Sequence, residues 1–453
     1  MDIQNFSALF NTPARREAFL KLIKDNKTKH IFIQGLEGSS IALFFSNLLE
    51  HKQAHIIIAN DLDEAGYLYN DLVQINGNDH ILLFPSGYKR DIKYGQPDPP
   101  SEILRTEVLN RLCQKGESLL IVTYPEAIAE KVVPVNMLSE QTLHIDKNSK
   151  CDIITLSDKL RERGFEEVDY VYEPGQFAVR GSILDVFSYT NELPYRIDFF
   201  GKEVESIRTF EVETQLSTGK LEEVYIVANV CGQEASGISI LDFIDKNTIL
   251  ICHNLSWVID RISTIASESL SEQTLIAEEG DRYAMQKIID VTAFQKKITT
   301  FRRIDYGTSS EANAPAVIRF NCTPQGVYHK NFDLVSQSFS QFIEKGYTLY
   351  ILSDSEKQIE RLQAIFEERG DSISFTPVLK TLHEGFVDND LKIGCFTDHQ
   401  IFDRFHKYTL KSEHARSGKL ALSLKELNQI EVGDYIVHVD HGIGRFGGLI
   451  HTE

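Results

Sequence analysis

The chain has 453 residues and a formal net charge of −19, material for about three domains or more at roughly 150 residues each. So acidic a balance excludes a protein that grips nucleic acid along its whole surface, because neutralising phosphates takes clustered Lys and Arg. Cys113, Cys151, Cys231, Cys252, Cys322 and Cys395 stand far apart with no Cys-x-x-Cys spacing, which excludes a zinc ribbon or a disulfide framework and fits a reduced cytosol.

The opening MDIQNFSALF lacks the basic-then-apolar order of a signal peptide, and the apolar run Ile41 to Leu49 is too short to span a bilayer, so a soluble, cytoplasmic protein with no membrane partner is expected. Helical spacing at Arg15 to Lys24, Ser39 to Leu49, Asp63 to Val73 and Ser101 to Cys113 alternates with apolar runs at His30 to Gln34, His55 to Ala59, His80 to Phe84 and Ser118 to Thr123. That alternation implies an α/β domain with a parallel sheet. Pro85, Gly87, Gly95, Pro97, Pro99 and Pro100 make 85–100 a loop that cannot join the sheet.

After the first strand comes Gly35-Leu36-Glu37-Gly38-Ser39-Ser40-Ile41-Ala42, where a nucleotide loop would read G-x-x-x-x-G-K-[ST]. Gly35 keeps the first glycine. Ser40 replaces the second, Ile41 the lysine and Ala42 the magnesium-binding hydroxyl, while Glu37 repels a triphosphate. ATP hydrolysis is not expected here, and taken alone the turn around Gly38 also reads as a plain strand-to-helix connection. Further on, Ile249-Leu250-Ile251-Cys252-His253 ends in cysteine and histidine where a magnesium-holding acidic pair would stand.

Between residues 141 and 213 the pattern turns to short strands and one helix, Ser157 to Arg163. In Tyr195 to Phe200 a period of two places Tyr195, Ile197 and Phe199 on a core face and Arg196, Asp198 and Phe200 on the other. A phenylalanine sharing solvent with charged residues points to a docking strip covered by a partner protein. Phe177 and Val179 alternate with Ala178 and Arg180, so Arg180 joins the strip. Gly201-Lys202 suits a hairpin turn with glycine taking the positive φ. The same alternation also admits a Phe200 tucked beneath a loop and arginines held in surface ion pairs.

Residues 214–331 return to strand and helix at Leu221 to Asn229, Asn247 to Cys252 and Ser256 to Ala266, reading as the second half of the first domain. From 332 to 405 an αβα series follows: helix Phe332 to Lys345, strand Tyr347 to Leu352, helix Ser355 to Arg369 capped by Ser353 or Asp354, and strand Leu391 to Phe396. Residues 406–427 read as a connector. Residues 428–453 read as the opening strands of a small barrel, with glycines at 442, 444, 447 and 448 for bulges and bends. His438 and Asp440 share a face of a regular strand and His441 lies on the other, so a structural or interface role outweighs a metal site there.

EPGQFAVRGSILDVF, LPYRIDFF and EVESIRTFEVETQ, in 173–215, resemble the UvrA-binding domain shared by the transcription-repair coupling factors (Mfd) and the excision-repair protein UvrB. YIVHVDHGIGRFGGL and the EGF at Glu384 to Phe386 resemble the coupling-factor family as well. The resemblance implies that UvrA is held by Arg180, Arg196 and Phe200, and that RNA polymerase is met through a domain beginning near Glu431. It further implies that DNA is engaged mainly by an ATP-driven motor outside this chain, leaving an adaptor region without catalytic residues or cofactor. Gln215-Leu216-Ser217 departs from the family, which usually carries an arginine between the glutamine and the hydroxyl residue.

The implied fold class is α/β multidomain. It comprises a degenerate UvrB-like P-loop domain (1–140 and 214–331) with an inserted α+β UvrA-binding domain (141–213), a small αβα domain (332–405), a linker and a truncated polymerase-interaction domain. The rival reading is a UvrB-like, DNA-clamping, damage-verifying ATPase. Against it stand the altered loop and the isolated Tyr88 and Tyr94, where UvrB has a tyrosine-rich hairpin.

Overall fold

The computed structural model describes residues 1–25, 27–87, 99–114, 116–147, 150–191, 193–212, 214–228, 237–275, 288–308, 314, 316–406, 433, 435–438 and 442–445. The backbone forms a mixed α/β protein of several packed units. Among the described residues no helix is long and apolar enough to cross a membrane.

The first unit is a seven-stranded sheet in the order Ala316–Arg319, His30–Gln34, Arg302–Gly307, Ile249–Cys252, Ala54–Ile58, Leu119–Thr123, Ile81–Phe84, with every neighbouring pair parallel. Strands such as Leu119–Thr123 are buried along their whole length, as helices on both faces of a parallel sheet require. The helix Leu62–Asn76 starts where the Asp61 side chain accepts from the Glu64 N–H, and it ends at Gly77, whose φ of +79° is free of Cβ strain.

One strand of this sheet, Arg302–Gly307, is not legible from apolar runs, because charges interrupt it. In Arg302–Gly307 the Arg302 guanidinium donates to the carbonyls of Leu22 (2.5 Å), Ile23, Asp25 (2.9 Å) and Thr28 (2.8 Å). Asp305 lies 2.7 Å from His30 Nε2 and 3.0 Å from Arg303 Nε. A charged strand is tolerated in the sheet because the charges of Arg302, Arg303 and Asp305 are partnered.

The insertion is larger than 141–213. Its six-stranded sheet runs Ser217–Leu221, Glu203–Phe210, Tyr195–Phe200, Ile183–Val186, Gln176–Arg180, Glu166–Glu167. Glu223–Val227, expected in the second half of the first domain, pairs antiparallel with Thr142–Asp146 instead. Val224 and Ile226 complete a core with Leu160, Phe177, Leu184, Ile197 and Phe199. The helix over this core spans Ile153–Glu162, opening four residues before the expected Ser157 because Asp152 caps it by accepting from the Ile154 N–H.

Residues 322–402 form a five-stranded sheet in the order Cys322–Pro324, Phe386–Asp388, Ile393–Thr397, Thr348–Leu352, Thr376–Val378. Helices Phe332–Glu344 and Glu356–Glu368 cover one face around Phe339, Leu362 and Phe366. The other face is no separate core: Tyr350, Leu352, Phe386 and Cys395 join the core of the first unit. The helix Ile3–Phe10 bridges the two, with Phe6 packed on Tyr350 (5.2 Å between centroids) and Phe10 edge-on to Phe386 (5.4 Å). Ser355, not Ser353 or Asp354, is the N-cap of the second helix and makes no side-chain cap bond; the Ser353 hydroxyl accepts from the Ser355 N–H and lies 3.0 Å from Asp398.

His406, placed in the connector by sequence, stacks on His399 at 4.4 Å and accepts through its carbonyl from the Tyr67 hydroxyl. The rest of 407–427, the 88–98 stretch with Tyr88 and Tyr94, and the side chains of His438, Asp440 and His441 lie outside the described residues. Strands Tyr435–His438 and Gly442–Arg445 form an antiparallel pair.

Candidate protein-docking site

Register defines one face of the insertion sheet. Ala178, Asp185, Arg196 and Arg208 lie side by side across four strands, with Arg180, Ile183, Asp198 and Ser206 in the next row and Phe200 beyond, opposite Glu203. Phe200 is 79% exposed, at the end of the hairpin whose Gly201 has a φ of +64°. No loop covers it.

The two arginines are not free cations. Both bind Asp185, a carboxylate only 1% exposed: Arg180 through Nη2, and Arg196 through Nε (2.7 Å) and Nη2 (2.8 Å). Hydrogen bonding to Asp185 pushes the Arg196 pKa further up, so it stays charged. Arg196 also donates to the Gln215 carbonyl at 3.0 Å and lies 4.4 Å over the Phe210 ring, leaving its side chain 14% exposed. Arg180 lies 4.9 Å over the Tyr170 ring and keeps 35% exposure. Arg208 pairs with Asp198.

Part of this face is therefore not solvent. Val171, Ala178, Phe187 and Phe210 form a second small core on it, and Arg196 roofs that core. Val179, expected among the apolar residues of the opposite face, is 36% exposed near the strand end. Asp185 and Tyr170 were not singled out by sequence. The parity of Asp185 with Ile183 on the outward face was the available signal, but its sharing by two arginines depends on a three-strand register that local pattern does not encode.

At the turn after the first strand, Gly35 (φ +81°) and Gly38 (φ +53°) are crowded by backbone. A Cβ on Gly35 would sit 2.2 Å from the Phe320 carbonyl oxygen, and one on Gly38 would sit 2.9 Å from that of Gly385. The Ser39 N–H donates to the Glu384 carbonyl (3.1 Å), and the Ser39 hydroxyl accepts from the Glu384 N–H (2.9 Å) while lying 2.5 Å from Asp71. Asp71 also accepts from the His383 N–H at 2.8 Å. Ser40 Oγ accepts from the Glu37 N–H. Ile41 packs against the core and Ala42 is fully buried. Cys252 donates to Asp305, and His253 lies edge-on to Tyr306. Thus the segment His383 to Gly385 fills the mouth of the turn with peptide carbonyls.

Burial pushes Asp71 up to about 7, and burial lowers His383 to about 4. Glu384 is raised, first by burial and then by Glu37. Among the described residues no group of three or more His, Cys, Asp or Glu could hold a metal ion.

The family described as UvrB interaction domain matches residues 143–230, in agreement with the strand pair that closes the insertion. The family described as CarD-like/TRCF RID domain matches residues 430–453. A transcription-repair-coupling factor of Staphylococcus aureus (strain MRSA252) is 23% identical over 496 residues, covering 93% of this chain and 42% of that protein. One from Staphylococcus epidermidis (strain ATCC 35984) is 22% identical over 502 residues, covering 94% and 42%. The chain is thus similar to a part of these proteins and spans 42% of their length.

Proposed function

We propose that this chain, similar to the N-terminal part of transcription-repair-coupling factors, is the adaptor portion of such a factor. It recruits UvrA through the insertion face that carries Phe200, and it engages RNA polymerase through the segment around 430–453. The observation that carries the UvrA reading is the ring of Phe200, 79% exposed at the end of a β-hairpin. An aromatic held in water costs solubility and supplies an anchor when a partner desolvates it. Arg180 contributes a partly exposed guanidinium already oriented by Asp185, so little side-chain entropy is lost when an acidic group of the partner joins it. Arg196 acts as the brace that fixes Asp185 and Gln215.

Titration calorimetry with purified UvrA tests this. Phe200→Ala is expected to weaken binding by about 2 kcal/mol, roughly thirtyfold, as a central anchor does. Equal binding by wild type and variant refutes the assignment.

The adaptor reading includes a turn at Gly35 that takes no nucleotide and has no ATPase activity. What supports it is the seating of the Glu384 and Gly385 carbonyls against Gly38 and Ser39, where phosphate oxygens would need the same N–H donors. With Ile41 and Ala42 in place of the lysine and hydroxyl, no side chain compensates a triphosphate. Heat of binding on titrating ATP with Mg²⁺ would overturn this part and favour a UvrB-like ATPase.

A further inference from the structure

A single ring is too small to hold a protein: a stable interface takes about 800 Å² from each partner. The footprint centred on Phe200 must extend, and the structure offers one aromatic direction. The segment Val168 to Tyr172 lies on the Phe200 face, because Val171 is wholly buried with Ala178, Phe187 and Phe210 and Val168 packs beside it. With Val171 pointing inward, Tyr170 and Tyr172 are each left 48% exposed. They are not loose. The Tyr172 and Glu173 N–H groups both donate to Gln176 Oε1 (2.9 and 3.0 Å), and the Arg180 guanidinium lies 4.9 Å over the Tyr170 ring while bonded to Asp185. From the strand register, Arg180 sits two strands across and two residues along from Phe200, about 12 Å away.

We propose that Tyr170, with Tyr172 beside it, is a second anchor of the docking face, contacting the same UvrA surface that takes Phe200 and holding Arg180 toward it. This rests on the UvrA reading above and extends it along the sheet. Tyrosine suits the role: it brings a large contact area, few rotatable bonds and a hydroxyl for a polar rim. Its ring also stacks the guanidinium that meets an acidic group.

The test is calorimetry with UvrA on wild type, Phe200→Ala, Tyr170→Ala, Tyr170→Phe, and Ile154→Ala as a control on the helix covering the opposite face. Melting curves confirm that each variant is folded. Tyr170→Ala is expected to raise Kd at least tenfold with an unchanged melting midpoint, Tyr170→Phe to stay within threefold, and Ile154→Ala to match wild type. Combining Tyr170→Ala with Arg180→Ala should cost less than the product of the single effects, since the pair acts as a unit. Weakening in Phe200→Ala without weakening in Tyr170→Ala overturns the second anchor and leaves the recruitment reading standing. Unchanged affinity in Phe200→Ala overturns that reading itself.

Discussion

Asp71→Asn tests whether the seat between the Gly35 turn and His383 to Gly385 carries a titratable load. Asp71 is fully buried, and burial raises its pKa from 3.8 to about 7. A carboxyl with a higher pKa folded than unfolded gives stability that is complete below pH 4 and is lost as pH rises through about 7. At about 1.4 kcal/mol for each tenfold in affinity for the proton, the loss amounts to about 4 kcal/mol. Asparagine cannot titrate. It keeps an oxygen for the His383 N–H and costs a fixed amount, about 1 kcal/mol, through its mismatch with Ser39. Calorimetric melting of both proteins from pH 4.5 to 8 cancels the other titrating groups in the difference. About 3 kcal/mol of that falls between pH 4.5 and 8, so at about 2 °C per kcal/mol for a unit of this size the wild-type midpoint should fall relative to the variant by about 7 °C. A difference that stays constant across the range refutes the reasoning, and would mean that the donors from Ser39 and His383 fully offset burial.

Other substitutions follow from the same geometry. Gly35→Ala should destabilise by about 3 kcal/mol or more, read as a lower denaturation midpoint, since its Cβ has no room against the Phe320 carbonyl and its φ is +81°. Arg196→Ala should cost about 3 kcal/mol by leaving Asp185 with Arg180 alone and uncovering Phe210. Phe200→Ala, with nothing to lose on the folded side, should move the melting of the insertion by less than about 0.5 kcal/mol. Millimolar ATP with Mg²⁺ should leave the midpoint unchanged, whereas a hundredfold excess over a real dissociation constant would add about 2.7 kcal/mol.

Where a signal is local, the sequence carried it. The strand His30–Gln34 is found at its expected bounds, because five residues of buried strand between helical patterns admit little else. Period two takes Phe200 off the core face but leaves open a loop above it, and it is the structure that leaves the ring exposed. Arg196 has the parity expected of it, yet local pattern could not reveal that its face is half roofed, since Val171 comes from a segment outside the strands. Arg302–Gly307 was hidden for a different reason: its charges are satisfied by carbonyls some 275 residues earlier in the chain, such as Asp25, Thr28 and Ile23. The occupant of the Gly35 turn comes from 345 residues away, Ser39 to Glu384. Altered motif residues say that the lysine and hydroxyl of a phosphate loop are replaced by Ile41 and Ala42, but not what has taken the space.

The strands Thr142–Asp146 and Glu223–Val227 are the first and last of the insertion, and Thr142 stands opposite Val227. Entry and exit are therefore side by side, and the module brings its own apolar interior. A unit built this way can be grafted onto an exposed turn of another scaffold without stretching host or guest. The insertion is in that sense a detachable cartridge, free to change its surface while the sheet that carries it stays the same.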